Sequence, residues 1–77
     1  MTASQGWEVR LAGMSTYQLV QYATVTSRFV SEVRSRWAAG KPVPARCTRQ
    51  WIDRLDAQAA MAERLIARRI DNLDPPP

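Results

Sequence analysis

The sequence predicts an all-α protein, an antiparallel two-helix hairpin that dimerises into a four-helix arrangement. Two long apolar patterns of helical period, Ser15 to Trp37 and Thr48 to Leu73, flank a hinge from Gly40 to Pro44. Two helices alone cannot enclose a core, so the stripes they carry call for a partner. A chain of 77 residues buries a modest share of its surface, and disulfides, metals or oligomerisation usually support folds of that size. Cys47 is the single cysteine and histidine is absent. Neither an internal disulfide nor an ordinary zinc site within one chain is therefore expected, and oligomerisation remains.

The elements follow in order. Residues 1–14 form an N-terminal arm. Trp7, Val9 and Leu11 alternate with Glu8 and Arg10, as in a short strand, although Trp7 and Leu11 also stand one helical turn apart. The expectation is an extended or loosely packed arm. The hairpin domain spans 15–74: a helix over 15–39, a hinge over 40–47 and a helix over 48–74. Ser15 and Gln18 make an S-x-x-Q capping box, and Met14 and Leu19 occupy the positions of a hydrophobic staple. Leu19, Tyr22, Ala23, Thr26, Phe29, Val30, Val33 and Trp37 then recur every three or four residues, one wide stripe with Thr26 as its weak rung. Gly40 suits a left-handed C-cap, and Pro42 prevents continuation.

Thr48 is a fair N-cap for the next helix, with Pro44 as an alternative first residue. Ile52, Leu55, Ala59, Ala62, Ile66, Ile70 and Leu73 form one stripe, and Trp51, Gln58, Met61 and Leu65 form a second beside it. Two adjacent stripes let one helix face both its hairpin mate and another chain. The expected dimer or core set is Leu19, Tyr22, Val33, Ile52, Leu55, Ala59, Ala62, Ile66 and Ile70. Asp74 and Pro75 to Pro77 end the helix in a short polyproline tail.

Charge is unevenly placed. The net charge is +4, yet residues 28–54 alone carry +5 and residues 55–77 carry −1. Ten of the eleven cations are arginine, which suits bidentate contact with carboxylate or phosphate. A GC-rich genome gives the same bias. No uncharged run approaches the ~18 apolar residues of a membrane span. The N-terminus lacks a secretory pattern, and a lone cysteine fits a reducing compartment; a cytoplasmic chain with no membrane partner is expected.

Catalysis finds no residues to work with. Histidine, the usual general base, is missing, and Cys47 has no imidazole partner. Asp53 and Asp56, near Arg49 and Arg54, read as a solvated charge cluster. The three glycines are scattered, so no phosphate loop exists. No enzyme activity, cofactor or metal is expected. Trp37 and Trp51 flank the hinge, where they either pack together and close the hairpin or stand as exposed anchors of an interface rich in Trp and Arg.

The second helix, through Trp51-Ile52-Asp53, Ala57-Gln58 and Met61, resembles the helix of quorum-sensing anti-activators of the TraM and QslA type. The first helix matches that family in length and position, and size and arginine content lean toward QslA. The closing Asp74-Pro75-Pro76-Pro77 departs from the pattern. The resemblance implies a helical homodimer that binds a LuxR-type transcription factor stoichiometrically and blocks its dimerisation or DNA binding. It implies partner-binding anchors at Phe29, Trp37, Trp51, Met61 and Leu65, with Arg49, Arg54 and Arg64 pairing to partner carboxylates. A small basic DNA-binding repressor or antitoxin is the alternative, resting on the basic hinge and a loose likeness to ribbon-helix-helix proteins. A phage or structural assembly protein is a third.

Overall fold

The computed structural model describes residues 3–73. They form three helices and no strand: α1 Ala3–Ala12, α2 Thr16–Ala38 and α3 Arg49–Leu73. Asp74, where the second helix was expected to end, and the tail 75–77 lie outside the described residues.

The start of α2 follows from its cap. Ser15 is extended (φ −67°, ψ 161°), its hydroxyl accepts from the Gln18 amide at 3.1 Å, and the Gln18 side chain accepts from the Ser15 amide at 3.0 Å. The expected capping box is present. At the other end the chain turns through Gly40 at φ +69°. The Lys41 amide donates to the Arg36 carbonyl (2.8 Å) and the Gly40 amide to the Trp37 carbonyl (3.1 Å). That pair of bonds is a Schellman closure, which satisfies carbonyls the helix leaves open. The hinge then makes a turn in which the Cys47 amide donates to the Pro44 carbonyl at 2.9 Å. Pro44 thus belongs to the turn and not to the helix. Thr48 caps α3, its hydroxyl accepting from the Trp51 amide at 3.1 Å.

Cross-helix pairs show that α2 and α3 run antiparallel. Thr16 meets Arg69, Tyr22 meets Gln58, and Arg34 meets Asp53. The seam between them has two apolar clusters. Val30, Val33, Cys47 and Ile52 lie near the hinge. Leu11, Leu19, Ala23 and Ala62 lie near the open end. Thr26, the polar rung, is buried.

The arm corrects one expectation. Residues 3–12 are helical, because a helix puts Trp7 and Leu11 on one face and lets both reach the hairpin. Leu11 is completely buried, while Val9, which a strand would align with them, is 74% exposed. A lone strand would also leave its backbone groups without a sheet to pair with. Gly13 then ends the helix. Arg69 completes the junction, donating to the Ala12 carbonyl (3.1 Å) and the Thr16 hydroxyl (3.2 Å). It thereby satisfies an orphan carbonyl at the C-terminus of α1.

Burial of α1 changes the role of α3's second stripe. Met61 and Leu65, expected as partner-binding anchors, pack with Trp7, Tyr22 and Leu11 in the same chain. Ile70 is 56% exposed and leaves the expected core. The reason is register: Arg69 already stands opposite Thr16, the first residue of α2. The stripe on α3 simply outruns the helix it packs against.

Candidate functional site

The residues expected to bind a partner divide between two places. Phe29, Trp37 and Trp51 gather at the hinge end, half-buried against Val30, Val33, Cys47 and Ile52. Met61 and Leu65 stand at the open end, partly covered by α1. Arg49, Arg54 and Arg64 are exposed on α3.

Helical geometry relates the two places. Tyr22 and Phe29 are seven residues apart on α2, about two turns, and so share a face. On α3 the same spacing aligns Trp51, Gln58 and Leu65. The two rows face each other. The Tyr22 phenol donates to Gln58 Oε1 at 3.2 Å, and the Phe29 and Trp51 rings meet edge to face at 5.8 Å between centroids. Together they make one apolar flank along the helix pair. α1 lies over its open-end half, where the Trp7 ring sits 6.1 Å from that of Tyr22. Among the described side chains of α1, those of residues 6–12, none belongs to the cluster that holds Phe29, Trp51 and Leu55. The hinge half of the flank is therefore uncovered among the described residues.

Trp37 and Trp51 do not stack on each other. Trp51 takes Phe29 as its partner, and Trp37 receives the Arg49 guanidinium 4.9 Å from its ring centroid. That contact is a cation–π pair, so Arg49 is engaged within the chain where a carboxylate of another protein was expected. A second such contact sets Arg10 over Trp7 at 5.9 Å.

The carboxylates are also differently paired. Asp53 and Asp56 flank Arg34 of α2, whose guanidinium donates to Asp53 Oδ1 at 2.9 Å and Asp56 Oδ2 at 3.2 Å. Hydrogen bonds to Asp53 first and Asp56 second raise the Arg34 pKa above its ordinary value. Arg36 pairs with Glu32 at 3.6 Å. These ion pairs lie on the surface, so they set register more than stability. Asp53 and Asp56 serve as cross-helix acceptors.

Tyr22 is a second titratable group altered by the fold. Burial raises its phenol pKa, and the Thr26 hydrogen bond partly offsets that rise. Cys47 is buried and unpaired in the hinge cluster. Among the described residues no three of His, Cys, Asp and Glu come together as a metal would need, and no helix is long and apolar enough to cross a membrane.

A shallow cleft of about 370 Å³ separates α1 from α3, lined by Glu8, Ala12, Met61, Arg64, Leu65 and Arg68. Sequence reasoning singled out Arg64 but not Arg68 or Arg69. Their signal was weak, since each reads as an ordinary surface charge until α1 is known to fold over α3. No family model matches the chain, and neither a curated protein nor a solved structure matches it.

Proposed function

We propose that this chain is a small protein-binding regulator, a hairpin with an accessory helix, that inhibits a transcription factor by stoichiometric binding. The resemblance of α3 to TraM- and QslA-type helices makes a LuxR-type activator the partner class. One observation supports the reading: among the described residues, α1 covers the apolar flank of the helix pair over one half, and Phe29, Trp51 and Leu55 stand half-buried on the other without a side chain of α1 in their cluster. Half-buried aromatics beside arginines are what interface hot spots are made of. Arg54 stands exposed one turn from Trp51 and Gln58, placed to meet a carboxylate of the partner.

Homodimerisation belongs to the same proposal. Met61 and Leu65 no longer demand it, because α1 covers them. Its surface is instead the outer side of α2, where Tyr17 and Val20 are exposed. No charge lies between Thr16 and Ser27, so two net-positive copies meet there without repulsion.

The test is co-expression with a LuxR-type activator and its reporter promoter, followed by gel filtration of the pair. The expected result is a silenced promoter and a complex that persists in high salt and after nuclease treatment. Arg54→Glu restores the reporter while leaving the far-ultraviolet circular dichroism unchanged. A complex that dissolves with nuclease, or in moderate salt, refutes this reading and favours the DNA-binding alternative, since phosphate contacts weaken steeply with salt.

A further inference from the structure

We infer that α1 is an exchangeable arm. Two copies of this chain pair when each straightens its α1–α2 joint and lays α1 into the other's hairpin, where Trp7 and Leu11 take the places they occupy within one chain. The inference rests on the homodimer proposed above and adds which segment each copy supplies.

The joint is already close to helical. The Gly13 amide donates to the Val9 carbonyl at 3.2 Å, and the Leu19 amide donates to the Ser15 carbonyl at 3.0 Å. Helical bonding therefore runs to Gly13 on one side and restarts at Ser15 on the other. Ser15 has a helical φ of −67°, while its ψ of 161° departs from the helix. No proline lies between Ala12 and Thr16, and Gly40 holds the single positive φ among the described residues. The α2–α3 hinge differs, with Gly40 at φ +69° followed by Pro42 and Pro44. Of the two connections, only the first can become helix.

Straightening exchanges hydrogen bonds and does not abolish them. The Ser15 and Gln18 amides rest on the capping box, and the Ala12 carbonyl accepts from Arg69. In a continuous helix those amides take the carbonyls of Leu11 and Met14, and the Ala12 carbonyl takes the Thr16 amide. The loss is elsewhere. A straightened arm points past the open end, so Leu11 leaves Leu19, Ala23 and Ala62, and Trp7 leaves Tyr22. A second copy in the same state offers those same contacts.

Direction fits the exchange. Within one chain Arg69 bridges Ala12 and Thr16, Leu11 clusters with Leu19, and Trp7 lies beside Tyr22. α1 thus runs antiparallel to α2. Two straightened α1–α2 helices, set antiparallel about a two-fold axis at the joint, give each α1 that direction along the other copy's α2. The stretch from Leu11 to Ser27 carries no charge, so the helices cross there without repulsion. Exchange of an identical element is a low-cost route to a dimer, because its contacts exist already in one chain.

The experiment mixes two variants of the full chain, Glu8→Cys and Arg64→Cys, at high concentration and treats them with a short bismaleimide. Both positions line one cleft, so a link between the two variants reports an α1 that has crossed over. Cys47 is buried and stays unreacted. Mixed covalent pairs, identified by mass, are expected in a preparation that sediments as a dimer. Thr16→Pro is the second arm of the test. Thr16 is the first residue of α2, where proline is tolerated, and Ser15 already has the extended ψ that proline asks of its predecessor. The one-chain fold therefore survives. Inside a continuous helix the same proline loses the bond to the Ala12 carbonyl and clashes with it, so dimer affinity should fall roughly hundredfold. Gly13→Ala combined with Ser15→Ala acts in the opposite direction. The new Cβ at position 13 makes only ordinary contacts at 3.6 Å, the capping box is gone, and the dimer fraction should rise. A dimer without mixed links, or one that Thr16→Pro leaves intact, overturns the exchange and leaves the homodimer standing. A chain that stays monomeric at high concentration overturns both. Promoter silencing is read separately, so loss of exchange and loss of inhibition are told apart.

Discussion

Leu11→Ala tests the proposition that α1 is part of the folded core. Leu11 is fully buried between α2 and α3, in contact with Leu19, Ala23 and Ala62. Removing its isopropyl group, three carbons, loses about 2 kcal/mol of transfer free energy at ~0.8 kcal/mol per buried carbon. A cavity that stays open raises the total into the ~3–5 kcal/mol range seen for rigid cores. α1, however, is a peripheral helix joined by a short turn, so it can undock when its anchor is lost. The cost then stops at whatever docking contributes, and about 2–3 kcal/mol is expected.

Undocking also exposes Trp7, Met61 and Leu65 before global unfolding, so the variant should show a lower urea m-value as well as a lower midpoint. Ile52→Ala is the control. Ile52 is equally buried but lies in the α2–α3 seam, which has no local escape. It should lower the midpoint by a larger amount, about 3–4 kcal/mol, at unchanged m. Urea unfolding followed by circular dichroism reads both. Limited trypsin digestion at Arg10 gives a second reading, with faster cleavage in Leu11→Ala. A Leu11→Ala midpoint within about 0.5 kcal/mol of the parent, the scale of a surface substitution, with trypsin protection intact, would refute a docked α1.

Further outcomes follow from single contacts. Gly40→Ala meets no atom within 4 Å of the new Cβ, so its expected loss of about 1 kcal/mol in thermal or urea unfolding comes from the +69° φ alone. Ser15→Ala removes the capping box and should cost about 1 kcal/mol, whereas Ser31→Ala, exposed on the same helix, should leave the midpoint in place. Tyr22→Phe deprives the buried Gln58 oxygen of its donor, a loss of about 1–2 kcal/mol at neutral pH. Burial holds the folded phenol's pKa above its unfolded value, so the stability this group contributes is complete below about pH 10 and declines as pH rises beyond that. The gap between parent and Tyr22→Phe should therefore narrow in alkaline urea titrations, and a widening gap would contradict the assigned burial. Cys47 should resist a thiol reagent until the hinge cluster opens, with labelling accelerated by Val33→Ala.

Much of this protein was legible in its one-dimensional pattern. Helix ends are local chemistry. Ser15 with Gln18, Gly40 before Pro42, and Thr48 before the apolar run each satisfy backbone groups within a few residues, so the sequence alone placed those boundaries to within about a residue. The seam residues Leu19, Val30, Val33, Ile52, Ala59 and Ala62 followed from period, because a helix that buries one face must repeat its apolar residues at three and four. What the sequence left open was every choice between two equally local readings. Trp7, Val9 and Leu11 fit a strand by alternation and a helix by spacing, and only a hairpin surface waiting for Trp7 and Leu11 broke the tie. The same docking turned Met61 and Leu65 from a presumed interface into intrachain core. The cross-helix register, reported by the Thr16–Arg69 pair, left Ile70 without cover. Pairings of Arg34 with Asp53 and Asp56, and of Arg49 with Trp37, were equally unreadable, since surface charges acquire partners only when distant segments are brought side by side. Local hydrogen bonding and periodicity are properties of neighbours in the chain. Which half of an apolar flank α1 covers is a property of three helices packed together.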